Sequence, residues 1–516
     1  MDFDCILRGG DVVDGTGKRP RFRSDVGIRG GVVAGIGDLS SAHAGRSIEV
    51  SGRIVCPGFI DVHVHSENTL LGGRDQMVAA WQGITTHLLA PDGFGWAGLP
   101  KEKARALWHY TQFAYGEPRF PVDWPSIESY LSLFPGRSPL NVYPQVPHCA
   151  VRVAAMGWEA REATPDELEA MKRITRQWME AGAGCLCLGL DYQPSANTSF
   201  DELTELCKVV AEYDGIYAAH LRYQILGRVE AWAETVRLNR ASGIPVHVSH
   251  ERVDEETAPF LEQADREGVD LTFESYLYPA GMTHITMQFP MWVQAGSLDD
   301  VLSRMKLSET RQKTIAYLRE QKILGDRQIV GYTPSGRYIG MTLDEAAKSE
   351  GKTPEDFAYD LVLEENGVQT FVSFWGTPAE ENEKTLDRTA VHPRMMVASD
   401  GIYDMPHPHP RAFGCFAQML RKFVRERGVV SLESAIYKMS GFPAERYRLK
   451  DRGKLQTGLP ADIAVFDPEI VADRATFADP IHTTVGVDYV FVNGQPVIDR
   501  GEPTANRPGQ VLRRNP

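Results

Sequence analysis

Gly58-Phe59-Ile60-Asp61-Val62-His63-Val64-His65 decides how the rest of the chain is read. An apolar run leaves a glycine and ends in His-x-His. In a strand, side chains alternate between faces, so His63 and His65 share one face and both imidazoles can converge on a single ion. A strand that ends this way suits the carboxyl end of a barrel strand, where barrel active sites lie. Further apolar runs follow at 84–90, 141–146, 184–190, 216–221, 245–249, 270–274 and 395–399. With 59–63 they predict eight strands. Amphipathic stretches at 166–181, 200–213 and 228–241 lie between them. Alternating β and α elements imply a parallel sheet, and eight such strands predict an α/β fold of the (β/α)8 TIM barrel type.

Outward from the barrel, both ends of the chain carry short strand-like runs separated by turns. They predict one small β-sandwich domain built from residues 1–56 and 445–516, with the barrel at 57–444. The interval between the seventh and eighth strands is long, and residues 282–394 form a predicted insertion. It has helical signals at 298–305, 309–321, 343–349 and 354–364. An insertion at the carboxyl face of a barrel sits over the mouth, so we expect a lid rather than a passive decoration.

The 516 residues are 42% hydrophobic and 24% charged, an ordinary globular balance that excludes disordered, collagen-like and coiled-coil classes. A net charge of −14 argues against nucleic acid or an anionic membrane as partner. Seven cysteines, with no CxxC pair, read as reduced thiols of a cytoplasmic protein. There is no signal-peptide pattern and no apolar run long enough to span a bilayer. Also missing are a phosphate-binding GxxxxGK[ST], a dinucleotide-type GxGxxG, a GxSxG elbow and an HExxH pair.

Four more residues follow predicted strands: Asp92, His220, His250 and Asp400. Each alone is more often a solvated loop residue or a satisfied core histidine than a ligand. Together, four histidines and two aspartates past strand ends match a site for Zn²⁺, Mn²⁺ or Fe²⁺.

These strand ends belong to longer motifs: AEYDGIYAAHLR at 211–222, IPVHVSHE at 244–251, MMVASDG at 395–401 and HPHPRAFGCF at 407–416. MSGFPAERYRLKDRGKLQTGLPADIAVFDP at 439–468 and the tail at 473–513 complete the set. With GFIDVHVH, the chain resembles the amidohydrolase superfamily and, within it, the N-acyl-D-amino-acid deacylase (D-aminoacylase) group, over nearly its whole length. The resemblance implies a distorted barrel with a small β domain. It implies that His63 and His65 hold one metal and that His220 and His250 hold a second. Asp400 would ligate the first metal and serve as general base, taking a proton from the attacking water and returning it to the leaving nitrogen.

The departures from that group are informative. Where it carries a metal-bridging cysteine, this chain has Asp92, a harder ligand that can bridge through two oxygens or simply mark a Pro-Asp-Gly turn. On the seventh strand, Glu274-Ser275-Tyr276-Leu277-Tyr278 offers Tyr276 or Tyr278 as an oxyanion donor, with Tyr278 the one expected in the site. Arg252 stands where the group has lysine; with Arg222 and Arg411 it is a candidate clamp for a substrate carboxylate. Asp191-Tyr192 follows the fourth strand, with Tyr192 a candidate substrate contact and Asp191 either a selector of amine-bearing substrates or a helix cap. His148 reads as structural.

The expected activity is therefore metal-dependent hydrolysis of the amide bond of an N-acyl amino acid, of D configuration by resemblance, with Zn²⁺ the expected ion and one or two ions bound. A cyclic amide, imide, lactone or carbamate is the alternative substrate for the same centre. A non-catalytic scaffold is the remote alternative. The expected partner is a small molecule, and the resemblance adds a homo-oligomer.

Overall fold

A computed structural model describes residues 2–73 and 76–514. The strands expected from the apolar runs are all present: β1 (Phe59–Asp61), β2 (Ile84–Leu88), β3 (Asn141–Tyr143), β4 (Cys185–Gly189), β5 (Ile216–His220), β6 (Val246–Val248), β7 (Leu271–Ser275) and β8 (Met395–Val397). Each pairs in parallel with its successor. β3 does so through its continuation, Val146–Pro147, which pairs with β4. The continuation of β8, Gly401–Ile402, pairs with Val64–His65, which continues β1. The ladder thus returns to the strand where it began.

The seam between β8 and β1 is held by a side chain. Asp61, fully buried, accepts hydrogen bonds from the Ser399 amide at 3.0 Å, the His63 amide at 3.3 Å and the Ser399 hydroxyl. It supplies the acceptors that regular strand pairing would have supplied. Burial pushes the Asp61 carboxyl up to about 7 against these bonds.

Alternation sorts the strand residues. Ile60, Val62, Leu88, Tyr143, Cys185, Cys187, Ile216, Ala218 and Ala398 form one buried cluster inside the ring. The intervening residues face the surrounding helices in a much larger core. Cys185 and Cys187 share the inner face, as their spacing predicts, and all seven cysteines are buried and free.

The helices start where local chemistry dictates. Pro165–Glu180 begins at a reciprocal Thr164/Glu167 cap with proline in its first turn, and it buries Met171, Trp178 and Met179. Phe200–Ala211 is capped by Ser199 and buries Leu203, Leu206 and Val210.

Strands from both ends of the chain share one nine-stranded sheet, joined where Ile463–Phe466 pairs antiparallel with Ile54–Pro57. The chain end also runs beside β3: Val142 N donates to Gln510 O and Leu512 N to Val142 O, at 2.9 and 2.7 Å. The segment between β7 and β8 holds more than the helices expected of it. Its four predicted helices are present, but they pack with a three-stranded antiparallel sheet of Ala280–Thr283, Thr370–Phe374 and Gln328–Tyr332. Phe289, Val293, Leu318, Phe357 and Phe371 are among the residues of a core of its own. Among the described residues, no helix is long and apolar enough to cross a membrane.

Candidate active site

The ends of the strands bring the sequence candidates together. His63 Nε2 lies 3.6 Å from Asp92 Oδ1 and 3.5 Å from Asp400 Oδ1. His65 Nε2 lies 3.7 Å from Asp92 Oδ2 and 3.4 Å from Asp400 Oδ1. Donors of a tetrahedral ion, bound at about 2.0–2.1 Å, stand about 3.3–3.4 Å apart, so this spacing suits a shared cation. Two ligand groups emerge, His63 with His65 and Asp400, and His63 with Asp92 and His250; His63 belongs to both. His220 joins through His250, with its Nδ1 2.9 Å from His250 Nε2.

The backbone aims these groups. Asp92, His250 and Asp400 all have positive φ, at 55°, 43° and 45°. Non-glycine residues adopt this left-handed conformation at a cost, and such strain clusters at functional sites. The turn around Asp92 further requires glycine beside it: a Cβ on Gly189 would stand 2.8 Å from the Asp92 carbonyl oxygen.

Electrostatics favour a cation here. Burial alone would raise the Asp400 carboxyl, but Arg411 and then His63 outweigh it and hold the group well below the usual carboxylate range. Asp92 is likewise held low, because His63, His220 and His250 outweigh its burial. Burial acts against the charge on His63, yet Asp92 and Asp400 push its pKa well up. His250 moves the other way, down to about 4, through burial and the neighbouring His220. His63 Nε2 and Asp92 Oδ1 are buried without a hydrogen-bond partner among the described residues. Two ionised buried carboxylates with unfilled donor atoms beside three imidazoles fit a divalent metal.

His63 and His65 are each backed by a partner on the other side of the ring. Glu274 Oε1, on β7, accepts from His63 Nδ1 at 2.9 Å, and its second oxygen contacts His247 Nε2. His247 Nδ1 in turn meets Thr272 Oγ1 at 2.7 Å. The Tyr115 hydroxyl stands 3.2 Å from His65 Nδ1. Such partners set tautomer and ring orientation. Glu274, His247 and Tyr115 carry no role in the sequence reading. A lone acid inside an apolar strand, Leu271–Ser275, is the one signal that pointed to Glu274. Glu274→Gln replaces one of its two acceptor oxygens with a donor, so it cannot serve both imidazoles. Chelator competition should show metal affinity about 10–100-fold weaker.

The metal-ligand candidates open on a cavity of about 320 Å³ lined by His65, Asp92, His220, His250 and Asp400. Its walls include Phe113, Tyr192, Arg252, Tyr276, Met282, Met287, Trp375 and Arg411. Tyr192 and Arg252 therefore lie where expected; the Tyr192 hydroxyl meets Thr283 Oγ1 at 3.1 Å. The Arg252 guanidinium sits over the Trp375 ring, 3.5 Å from its centroid.

Three expectations need correction. Tyr278 is not in the cavity wall; Tyr276 is. Leu277 turns the chain at a φ of 59°, which carries Tyr278 away to pack on His409 and Phe477. Arg222 is not in the wall either: its Nε pairs with Glu234 at 2.9 Å and an Nη donates to Thr198 O at 2.9 Å. Arg411 lines the cavity, but it pairs with Asp400 Oδ2 at 2.8 Å rather than standing free as a clamp. His148 is structural, buried between Ser195 at 2.7 Å and Glu202 at 3.2 Å.

Comparisons with known proteins agree with this centre. Residues 355–498 match the amidohydrolase family Amidohydro_3. The D-aminoacylase of Alcaligenes xylosoxydans xylosoxydans is 32% identical, with 99% of this chain and 98% of that protein covered. The N-acyl-D-glutamate deacylase from Bordetella bronchiseptica, solved with zinc and a phosphonate mimic of the tetrahedral intermediate, superposes with a TM-score of 0.83. It shares 30% identity over 99% of this chain and 100% of that one. A D-aminoacylase structure concerned with its binuclear metal centre gives a TM-score of 0.81 and 31% identity over 99% and 100%.

A chain of TIM-barrel type with imidazoles and carboxylates gathered at its strand ends defines a metal-dependent hydrolase. It belongs to the D-aminoacylase family of the amidohydrolases.

Proposed function

We propose that the chain hydrolyses the amide bond of an N-acyl-D-amino acid, with His63, His65, Asp92, His220, His250 and Asp400 as metal ligands and Asp400 as the proton-transferring group. The observation that carries this reading is the position of Asp400. One of its oxygens faces His63 and His65 and the other is fixed by Arg411, at the floor of an apolar-walled cavity. When bound, a divalent ion supplies a water nucleophile near neutral pH and polarises the scissile carbonyl. The chain's own groups do the rest. Asp400, kept ionised, accepts the proton of the attacking water and passes it to the leaving nitrogen. Tyr276, in the cavity wall, takes the place first given to Tyr278 as candidate donor to the developing oxyanion. In this reading Asp92 would bridge two ions; its grouping with His63 and His250, with its second oxygen 3.7 Å from His65 Nε2, supports that role.

Domain roles follow the same reading: a β domain of 1–56 and 445–516, a distorted (β/α)8 barrel of 57–444, and a lid at 282–394. The cavity residues Met282, Met287 and Trp375 come from that last segment and support its role over the mouth.

Charge in the cavity narrows the substrate. Arg411 pairs with Asp400 through one Nη, and Arg228 pairs with Glu251 and Asp254. Arg252 rests on Trp375 instead, which leaves its guanidinium for one substrate carboxylate. A substrate with a single carboxylate and a neutral side chain fits. The test is amine release from N-acetyl and N-formyl D- and L-amino acids by zinc-loaded protein. Turnover is expected in the D series, with leucine and methionine derivatives ahead of glutamate. Arg252→Met should raise KM at least tenfold, the loss of a charged hydrogen bond of about 1.5–3 kcal/mol, with a smaller change in kcat. Turnover of the L series alone, or of no member with metal bound, would overturn the proposal.

A further inference from the structure

Asp191 occupies a position that the reaction scheme leaves unexplained. It follows β4, is 1% exposed, and contributes to the cavity wall. Its Oδ2 stands 3.1 Å from His220 Nε2. The carboxylate is itself anchored, because the Gln224 amide donates to both oxygens at 3.0 and 3.3 Å. An ionised carboxylate only accepts hydrogen bonds. The contact therefore requires a proton on His220 Nε2, and in the neutral ring, the form that can ligate a metal, the lone pair is then on Nδ1. That nitrogen lies 2.9 Å from His250 Nε2. Two lone pairs this close repel unless a cation lies between them or one of the two rings carries a further proton.

From this geometry we infer that Asp191 is a positioning residue for the metal centre: it locks His220 in the Nε2–H tautomer and aims Nδ1 at the ion shared with His250. The arrangement parallels Glu274 behind His63, but the ring nitrogens are exchanged. His63 presents Nε2 and is backed at Nδ1; His220 presents Nδ1 and is backed at Nε2. The two carboxylates come from different strands, β4 and β7, so the two histidines are oriented independently. The inference rests on the proposed roles of His220 and His250 as ligands. It goes beyond them by giving Asp191 a task other than substrate selection or helix capping.

The test has three parts. In metal-loaded protein with ¹⁵N-labelled histidine, His220 is expected to show the Nε2–H tautomer with Nδ1 coordinated; the opposite tautomer overturns the inference without recourse to any variant. In chelator competition, Asp191→Ala should weaken the more affected ion about 10–100-fold. Asp191→Asn, whose amide oxygen can accept the same proton, should recover most of that loss. Equal affinity in Asp191→Ala and the parent protein would overturn the inference. Parallel His220→Ala and His250→Ala variants separate the two levels. If they too bind metal normally, the ligand assignment fails. If they lose an ion while Asp191→Ala does not, only the role of Asp191 fails.

Discussion

Asp400→Asn should retain metal and lose turnover by roughly 10²–10⁴-fold, the range for removing a general acid–base group. The variant keeps the shape of the side chain and one oxygen, and His63, His65 and Asp92 remain to hold the ion. It loses the capacity to take a proton. It also loses the charge that Arg411, 2.8 Å away, is placed to stabilise, so a buried guanidinium is left without its anion. Metal content by elemental analysis, with kcat and KM on the best D-series substrate, separates the two effects. A fall in kcat with metal retained is the expected outcome. Near-normal kcat would remove Asp400 from the chemistry, and loss of metal would reduce it to a ligand.

His63→Ala should have the widest consequences, because His63 is the one residue common to both ligand groups. Its Nε2 is the one donor it can offer, and Nδ1 is held by Glu274, so the ion proposed to be shared with His65 and Asp400 should be lost, and activity should fall with it. The metal-free protein should suffer as well. His63 lies against the buried carboxylates of Asp92, Asp400 and Glu274; its removal takes the nearest imidazole from Asp92 and one neighbour each from Asp400 and Glu274, which keep Arg411 and His247. Breaking a buried ion pair from one side costs about 3–5 kcal/mol. Denaturant unfolding of the metal-free variant should show a loss of that order. A variant that unfolds like the parent and binds metal like the parent would show that His63 is not a ligand.

The amidohydrolase centre was legible in the sequence because strand periodicity is local. In a strand His63 and His65 share a face whatever surrounds them, and His220, His250 and Asp400 each end or follow an apolar run that forms a strand. The four helices between β7 and β8 were equally legible, since caps and amphipathic spacing are written within each segment. What escaped was non-local. The sheet of Ala280–Thr283, Gln328–Tyr332 and Thr370–Phe374 pairs short strands far apart in the chain, and no single segment announces its partners.

The same divide runs through the site. Residue types and strand ends, read with the family resemblance, point to a metal centre and to the side chains that would hold it. Only the folded structure decides the partners behind them. Glu274 meets His63 and His247 because β1, β6 and β7 turn these side chains into one interior. Tyr276, not Tyr278, faces the cavity because one left-handed residue, Leu277, redirects the chain between them. Arg222, Arg411 and Arg252 look alike as charges in the sequence. Glu234 engages the first, Asp400 the second, and the Trp375 ring underlies the third. A charge becomes a substrate contact only when no closer partner satisfies it, and in a buried site tertiary packing decides that.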